Sequence, residues 1–341
     1  MFTYIIKKLK FRQNLTEGET EQVFVEIMSG KLETKNIAEF LLLLKEKKET
    51  VEEITGAAKV MRRFATCISP KCNKLLDTCG TGGDNANTFN ISTISAFVAC
   101  GAGCFVAKHG NKAVSSSCGS ADLLEDLGAN INLAPLQVQR CIEEVGMGFL
   151  FAPLLHPAMK YAMPARKMLK TRSIFNILGP LTNPAGARYQ LLGVYTKELT
   201  EVLAGVLKRL GSKGAMVVHG FDGLDEITVT DKTFVTELKN DTIKNYTISP
   251  EEFGFSKANL GSLRCENRDV NKRMALDILN GKDGARRDII LFNAGAAIYI
   301  TGLACDLREG IKKAAESIDS GSAYKKLKRF IEYTKQSVKS R

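Results

Sequence analysis

Residues 77–93, DTCGTGGDNANTFNIST, place three glycines and three asparagines between two apolar segments. The preceding KLL at 74–76 is typical of a strand, and NISTISAFVACGAG at 90–103 is typical of a helix that begins with polar residues. Free N–H groups and the helix dipole favour an anion at such a helix start. The stretch matches neither GxxxxGK[ST] nor GxGxxG. It therefore predicts either an unusual phosphate-binding turn or a tight structural turn in a sheet-and-helix fold.

Short apolar runs from Lys74 onward alternate with helical segments. The predicted strands are NKLLDTC, GCFVAKHG, YQLLGVY, GAMVVHG and FVTEL, with helices at about 90–101, 119–128, 197–211 and 271–280 and a helical tail at 285–341. This alternation is typical of a mostly parallel sheet with helices on its faces. Ligands of such sheets bind beyond the carboxyl ends of the strands.

The N-terminal part of the chain has no strand pattern. Residues 15–66 have helical periodicity throughout, with a capping-box pattern at Thr16–Glu19 and a helix end at Gly30. We therefore expect an α/β protein with a small helical domain at 1–69 and a larger α/β domain at 70–341.

The net charge and the cysteine content indicate which partners and which cellular compartment to expect. The net charge of +11 suits an anionic partner, but the basic runs at 7–12 and 325–330 are equally well explained as solvated helix faces. The nine cysteines form no CxxC pair, which predicts buried reduced thiols in a cytosolic protein. No signal peptide or membrane-spanning run is evident, so we predict a cytoplasmic location without a membrane partner.

A second polar segment, AKHGNKAVSSSCGSADLLEDLGA at 107–129, also lies between a predicted strand and a predicted helix. Lys108 and Lys112 flank a glycine turn, and serines follow at 115–117 and at Ser120. Two cations and a hydroxyl cluster suit two separated phosphate groups. Ser120 is equally well explained as a helix N-cap, and His109 as a structural histidine.

Adjacent acids mark a third segment, HGFDGLDEITV at 219–229. Asp225 and Glu226 either lie on a solvated surface or recruit Mg²⁺ opposite the phosphate-binding loops. Asp84 can accept sugar hydroxyls or the hydrogens of metal-bound water, and the hydroxyls of Ser92 and Thr93 can face a phosphate or a hard cation. A zinc hydrolase is not expected, because the three histidines lack ligand spacing.

Arginines and helix-breaking residues mark a fourth segment at 156–185. Arg166 and Arg172 can each bind a carboxylate through two N–H groups, although a lone arginine is usually a surface residue. NILGPLTNP at 176–184 is interrupted by glycine and proline and resembles a hinge.

Together these segments resemble the anthranilate phosphoribosyltransferase family over residues 14–335. The motifs that carry the resemblance are GTGGD at 80–84, NIST at 90–93, KHGN at 108–111, SSxxGSAD near 116–122, FNILGPLTNPA at 175–185 and DGLDE at 222–226. The resemblance implies a nucleoside phosphorylase/phosphoribosyltransferase-like fold, with residues near 166–185 completing the helical domain and a homodimer formed through that domain.

The resemblance also implies an activity: Mg²⁺-dependent transfer of phosphoribose from 5-phosphoribosyl 1-diphosphate to the amine of anthranilate, with release of diphosphate, in tryptophan biosynthesis. Residues expected to contact the sugar diphosphate are Gly80, Gly83, Asp84, Thr88, Asn90, Ile91, Ser92, Thr93, Lys108, His109, Gly110, Asn111, Lys112, Ala113, Val114, Ser115, Ser116 and Ser120. Those expected to contact anthranilate are Gly80, Asn111 and Arg166. The expected Mg²⁺ ligands are Ser92, Asp225 and Glu226, and the expected catalytic residues are Lys108, Asp225 and Glu226.

The chain departs from the family pattern at several positions. Lys112 replaces a common arginine, Lys170 a glycine and Ser173 a threonine, while Lys48 and Val51 replace a glycine and a proline. Two alternatives stay open: a pyrimidine nucleoside phosphorylase, against which the acid pair and KHGN argue, and a nucleic-acid-binding relative, against which the intact GTGGD and acid pair argue.

Overall fold

The computed structural model describes residues 1–84, 86–113 and 118–339, and the side chains of these as far as residue 336. A helical N-terminal region precedes an α/β region built on a mostly parallel sheet, so the predicted fold class is confirmed.

Helices dominate the described part of the chain. The α-helices are α1 (Phe2–Lys10), α2 (Glu17–Met28), α3 (Thr34–Lys47), α4 (Val51–Arg63), α5 (Ile91–Gly101), α6 (Ser120–Asp126), α7 (Pro135–Val145), α8 (Ala152–Leu155), α9 (Met159–Leu169), α10 (Phe175–Leu181), α11 (Glu198–Arg209), α12 (Arg268–Leu279), α13 (Ala285–Ile300), α14 (Leu307–Asp319) and α15 (Ser322–Lys339). Four of them, α2, α4, α12 and α14, begin at a residue whose side chain caps the helix. The capping box predicted at Thr16 and Glu19 is present, and Thr50 forms another with Glu53.

Within the described residues, the strands form one seven-stranded sheet. They are β1 (Leu75–Gly80), β2 (Phe105–Gly110), β3 (Met147–Phe151), β4 (Tyr189–Gly193), β5 (Gly214–Gly220), β6 (Thr233–Lys239) and β7 (Thr242–Ile248). Their order is β3-β2-β1-β4-β5-β6-β7, with β1 to β5 parallel and β6 and β7 antiparallel. The register places Gly80 of β1 beside Gly193 of β4.

Two strands, β3 and β7, and five helices, α1 and α7 to α10, lie outside the sequence-based assignments. The edge strand β7 has an exposed polar face and lacks the apolar run used to recognise strands. It is joined to β6 through Asn240 and Asp241, both with positive φ, as in a type I′ hairpin. The five-residue strand β3 directly follows α7, and α1 is a short amphipathic helix at the N-terminus.

Helices cover both faces of the sheet. Leu191 and Met216 pack into a core formed with α5 and α12 to α15. Leu192 and Ala215, their neighbours along the strands, pack into a second core that includes α1 to α4, α9, α10 and α11. Because successive strand residues point to opposite faces, the core of the N-terminal helices is continuous with one face of the sheet.

Two helices from the middle of the chain join the N-terminal helices in space. Helix α9 packs on α2 and α3, and α10 packs on α4. The boundaries at 1–69 and 70–341, with 166–185 completing the first domain, remain a proposal. In the part of the chain that the structure describes, no helix has the length and apolar character to cross a membrane.

Candidate active site

Loops that follow three parallel strands meet at one edge of the sheet. Strand β1 ends at Gly80, β2 at Gly110 and β5 at Gly220, and the predicted motifs directly follow these glycines. Because parallel strands place their carboxyl ends at the same edge, residues distant in sequence meet there. The loops at 80–84 and 225–226 are in direct contact.

The beginning of the glycine loop after β1 is held by hydrogen bonds from two successive backbone N–H groups. The Thr81 N–H donates to the Gly193 carbonyl (2.9 Å), and the Gly82 N–H donates to Asp225 Oδ2 (2.8 Å). Gly82 and Gly83 have φ of +65° and +82°, which glycine adopts without steric cost. Turns of this kind direct successive N–H groups into an anion-binding concavity. No acceptor among the described residues receives the N–H of Gly83 or Asp84.

Two glycines allow Asp225 to lie against the strand ends. A Cβ on Gly80 would collide with the Asp225 carboxylate, and one on Gly193 would collide with the Asp225 backbone carbonyl. Neither obstacle is the flexible end of a long side chain. The close approach explains why β1 and β4 both end in glycine at this level of the sheet.

Three acidic side chains converge beside the glycine loop. Burial and the neighbouring carboxyl group of Asp84 raise the pKa of Asp225, while the Gly82 N–H lowers it. Burial, together with Asp225, raises the pKa of Glu226, while Lys108 and the Ser92 backbone lower it. The cluster is therefore an electrostatically unfavourable set of oxygens that a cation would stabilise.

Lys108 lies beneath this acidic cluster and is buried. Its Nζ donates to the carbonyl of Thr78 and to Ser92 Oγ (3.2 Å). Burial lowers its pKa. Asp77, Cys79 and Glu226, in decreasing order of effect, raise it. The ammonium therefore orients the Ser92 hydroxyl and adds positive charge behind the cluster.

Asn90, at the start of α5, is held by a residue that the sequence analysis did not single out. Its N–H donates to Asn271 Oδ1 (3.1 Å), and Asn271 Nδ2 donates back to Asn90 Oδ1 (2.6 Å). Asn271 also donates to Cys118 Sγ (3.0 Å). It lies in α12, far along the chain, in an amphipathic helix where no local pattern marks it. Thr88 forms an isolated bridge with Arg264.

The loop after β2 is tied to the start of α6. Asp122 accepts the N–H groups of Ala113 (2.8 Å) and Gly119 (2.9 Å), and Ser120 Oγ donates to the Asn111 carbonyl (3.3 Å). Lys112 forms an ion pair with Glu125 (2.9 Å). Val114, Ser115 and Ser116, predicted to contact the sugar diphosphate, lie outside the described residues.

Some predicted contact residues are turned into the protein. Ile91 and Thr93 are buried in α5, and the Thr93 hydroxyl has no hydrogen-bond partner among the described residues. His109 packs against His156, with ring centroids 5.0 Å apart, and its Nδ1 lies 3.1 Å from the Gly179 carbonyl. Burial lowers the pKa of His109 to about 3 and that of His156 to about 4. The His109 ring thus contacts the hinge-like segment.

That segment is also held by buried polar groups. Asn183 Nδ2 donates to Asp77 Oδ2 and to the Ala107 carbonyl, both at 2.8 Å. Gln190 Nε2 donates to the Pro180 carbonyl (2.6 Å). The segment NILGPLTNP is therefore anchored to β1, β2 and β4.

The two arginines of the fourth segment have different surroundings. Arg166 is half-buried, stacks on Phe175 at 5.5 Å, and has its pKa lowered by burial. Arg172 donates to the Gly83 carbonyl and stacks on Tyr195. Among the described residues, no carboxylate forms an ion pair with either guanidinium. Arg166 is therefore available to an anionic ligand.

The site can hold a hard cation only in combination with further oxygen ligands. No group of three histidine, cysteine or acidic side chains with metal-binding geometry occurs within residues 1–84, 86–113 and 118–339. Asp225, Glu226 and Ser92 offer two carboxylates and a hydroxyl. Mg²⁺ is commonly bound by one or two carboxylates together with substrate phosphates, so these residues fit that ion.

Comparison with known proteins gives full-length matches. Residues 3–65 match the model of the glycosyl transferase family, helical bundle domain, and residues 72–324 match that of the glycosyl transferase family, a/b domain. Among curated proteins, anthranilate phosphoribosyltransferase of Alkaliphilus metalliredigens is 53% identical over 98% of this chain and 99% of its own length. The enzyme of the same name from Thermoanaerobacter is 51% identical with the same coverage.

Solved structures show the same relationship. The anthranilate phosphoribosyltransferase of Thermus thermophilus superposes with a TM-score of 0.92 at 39% identity, covering 97% of this chain and 99% of that one. That of Saccharomyces cerevisiae in complex with PRPP and Mg superposes with a TM-score of 0.90 at 30% identity, covering 98% of both chains.

Proposed function

The chain belongs to the anthranilate phosphoribosyltransferase family, and from this premise we propose how its residues divide the work of the reaction. The protein transfers 5-phosphoribose from 5-phosphoribosyl 1-diphosphate to the amine of anthranilate and releases diphosphate, a step of tryptophan biosynthesis. The observation that carries the assignment of roles is the hydrogen bond between Gly82 and Asp225, which joins the glycine loop to the acid pair.

The donor binds at the glycine loop and the start of α5. The N–H groups of Gly83 and Asp84 offer donors to the diphosphate, and the N-terminus of α5 offers positive partial charge. The remaining contacts come from Gly80, Thr88, Asn90 and Ser92, and from the loop that follows β2. The side chains of Ile91 and Thr93 are buried and their N–H groups donate to the carbonyls of Phe89 and Asn90, so these two residues shape the start of α5 and do not donate to the ligand.

Mg²⁺ binds at Ser92, Asp225 and Glu226. The fit follows from the donor set: these three side chains offer oxygen ligands, and burial, reinforced by repulsion among the acidic groups including Asp84, raises the pKa of both Asp225 and Glu226. A bound Mg²⁺ supplies positive charge to the departing diphosphate. The yeast relative in complex with PRPP and Mg supports the same choice of ion.

The reaction breaks the bond between ribose C1 and the diphosphate oxygen while the anthranilate nitrogen donates its lone pair to C1. The bonding electrons leave with the diphosphate, and the proton lost by the amine passes to the released diphosphate or to solvent. Lys108 places a positive charge near the leaving group. It also holds the Ser92 hydroxyl by a hydrogen bond. No side chain is required as a strong base, because the amine is a neutral nucleophile that needs positioning.

The acceptor binds between Arg166, Asn111 and Gly80. The Arg166 guanidinium is half-buried and stacked on Phe175, which holds its plane in one orientation. A planar guanidinium recognises a carboxylate through two parallel hydrogen bonds. Arg166 therefore orients the anthranilate carboxylate, so that the neighbouring amine faces the sugar.

A homodimer forms through the N-terminal helices. Several large apolar residues are exposed on helices α1, α3 and α9, which pack together. They are Tyr4 in α1, Phe11 directly after it, Leu42 in α3 and Met168 in α9. Clusters of exposed apolar side chains are typical of interaction surfaces. A cytoplasmic location and the absence of nucleic-acid and membrane partners stay predictions.

The direct test mixes the purified protein with anthranilate, the sugar diphosphate and Mg²⁺, and follows the loss of anthranilate fluorescence. Loss of signal that requires all three components supports the proposal. Consumption of a pyrimidine nucleoside with inorganic phosphate instead identifies a phosphorylase. Salt-sensitive DNA binding without turnover identifies a nucleic-acid-binding relative.

A further inference from the structure

Arg172 connects two chain segments beside the glycine loop. Its Nη2 donates to the Gly83 carbonyl, and its Cζ lies 4.1 Å from the centroid of the Tyr195 ring. Tyr195 follows β4, and its N–H donates to Thr81 Oγ1 (3.2 Å). Arg172 therefore contacts the glycine loop directly and also contacts a residue that holds the beginning of that loop.

Thr171, the residue before Arg172, contacts the N-terminal helices. Thr171 Oγ1 accepts a hydrogen bond from Lys45 Nζ near the end of α3. Position 83 favours glycine because φ is +82°, and a Cβ there would lie 2.9 Å from Arg172 Nη2, so that the guanidinium would have to move. The contact between the guanidinium and the loop is therefore close enough to determine the orientation of the Gly83–Asp84 peptide.

A trans peptide carries its C=O and its N–H on opposite edges. Since the Gly83 carbonyl faces Arg172, the Asp84 N–H points away from the guanidinium. We propose that Arg172 is a positioning residue for the donor: by holding the Gly83 carbonyl, it directs the Asp84 N–H toward the diphosphate. This inference rests on the proposed function, which places the diphosphate at this loop.

Two variants test the proposal. Arg172→Met removes the hydrogen-bond donors and keeps an unbranched side chain, whereas Arg172→Lys keeps the charge and one donor group. Inorganic diphosphate with Mg²⁺ is titrated calorimetrically into each protein, and steady-state kinetics are measured while each substrate is varied. For Arg172→Met we expect the Kd of diphosphate and the KM of the sugar diphosphate to rise about tenfold, the scale of one charge-assisted hydrogen bond. The KM of anthranilate should change by less than about twofold, and Arg172→Lys should restore part of the loss.

Arg308 provides a matched control. Its guanidinium also donates to a backbone carbonyl, that of Glu252, and also stacks on an aromatic ring, that of Phe253 at 5.1 Å. It lies at the start of α14, and neither of its partners belongs to the glycine loop. Arg308→Met removes the same two kinds of contact, so unchanged diphosphate binding in this variant shows that the effect depends on the position of Arg172.

Two results would overturn the proposal. A rise in the KM of anthranilate alone shows that Arg172 binds the acceptor carboxylate and overturns the proposal, as does an unchanged diphosphate Kd in a folded Arg172→Met protein. If Arg172→Met does not fold, Arg172→Lys decides, with an expected rise of about threefold. Absence of diphosphate binding in the unaltered protein rejects the donor site of the proposed function before any variant is compared.

Discussion

Asp225 Oδ2 accepts the backbone N–H of Gly82 at 2.8 Å, although 143 residues separate them in the chain. The bond joins the acidic pair after β5 to the glycine loop after β1. It exists because the Asp225 backbone lies against Gly193, at the end of the strand between them.

Neutralising the acid pair should remove the proposed metal site. For Asp225→Asn combined with Glu226→Gln, we expect turnover to fall at least about a hundredfold, because the charge stabilisation of the leaving diphosphate is lost. The amides preserve size, so the thermal unfolding curve should change little. The matched control is Glu251→Gln with Glu252→Gln, an adjacent and exposed acid pair. Near-normal turnover at saturating Mg²⁺ would contradict the metal assignment.

A methyl group at position 193 should displace the acid pair. The Cβ of Gly193→Ala would overlap the Asp225 backbone carbonyl, so we expect a loss of about 1–3 kcal/mol in unfolding free energy together with loss of activity. In Gly205→Ala the new methyl meets only Val51 at ordinary contact distance, within helix α11. That control should gain about 0.5–1 kcal/mol. Urea unfolding measures both, and equal stability of the two variants would argue against the close contact.

Arg166 should determine the requirement for anthranilate. In Arg166→Ala we expect the KM of anthranilate to rise about 10- to 100-fold, since a charged hydrogen-bonding partner is worth about 1.5–3 kcal/mol. The KM of the sugar diphosphate should stay within about twofold. Arg166→Lys keeps the charge but loses the planar pair of donors, so its effect should be intermediate. An unchanged anthranilate dependence in Arg166→Ala, measured by fluorescence, would remove Arg166 from the acceptor site.

Two lysines that replace family glycines are expected to cost stability. Lys170 has φ +49° at the end of α9, and Lys48 has φ +74° with ψ +130° at the end of α3. A side chain with positive φ costs about 1–2 kcal/mol relative to its usual conformation. Lys170→Gly and Lys48→Gly should therefore each raise the unfolding free energy by about 1 kcal/mol. Lys31→Gly, at an exposed loop position without positive φ, should not raise it.

The buried histidine pair should make the protein sensitive to mild acid. Burial lowers the pKa of His109 to about 3 and that of His156 to about 4, below the unfolded value of about 6.5. The unfolded chain therefore binds protons first as the pH falls. The stability that comes from the neutral rings is complete above about pH 6.5 and declines below it, by up to about 1.4 kcal/mol per pH unit and per histidine, until the pH reaches the folded pKa.

The comparison that isolates this effect uses His109→Gln with His156→Gln. Unfolding free energy is measured between pH 7 and pH 4.5 for this variant and for the unaltered protein. We expect the variant to lose less stability over that interval, although it starts from a lower value at pH 7. Parallel pH curves for the two proteins would show that the rings are not buried in the neutral form.

Local features of the chain were readable from the sequence. The capping box at Thr16 and Glu19 and the helix start after the glycine turn depend on residues a few positions apart, so backbone preferences suffice to predict them. The strand–turn–helix order of GTGGD and the adjacent acids at 225–226 similarly marked the loops of the candidate site. The polar edge strand β7 was missed because it lacks an apolar run, and β3 because its short apolar run directly follows a helix and resembles a continuation of it.

Only the tertiary structure decided which side chains face the site. Asn271 pairs with Asn90 across 181 residues, Lys112 pairs with Glu125, and the His109 ring turns to the hinge-like segment. These pairings and orientations depend on how helices and strands pack. A local sequence pattern carries no information about a partner that packing brings from elsewhere in the chain. The sequence by itself determined the class of fold and the chemistry of the loops, because both follow from periodicity and residue type. The packing of Asp225 against two strand-end glycines, and of Arg172 against Gly83, came from the assembled sheet, which sets those distances.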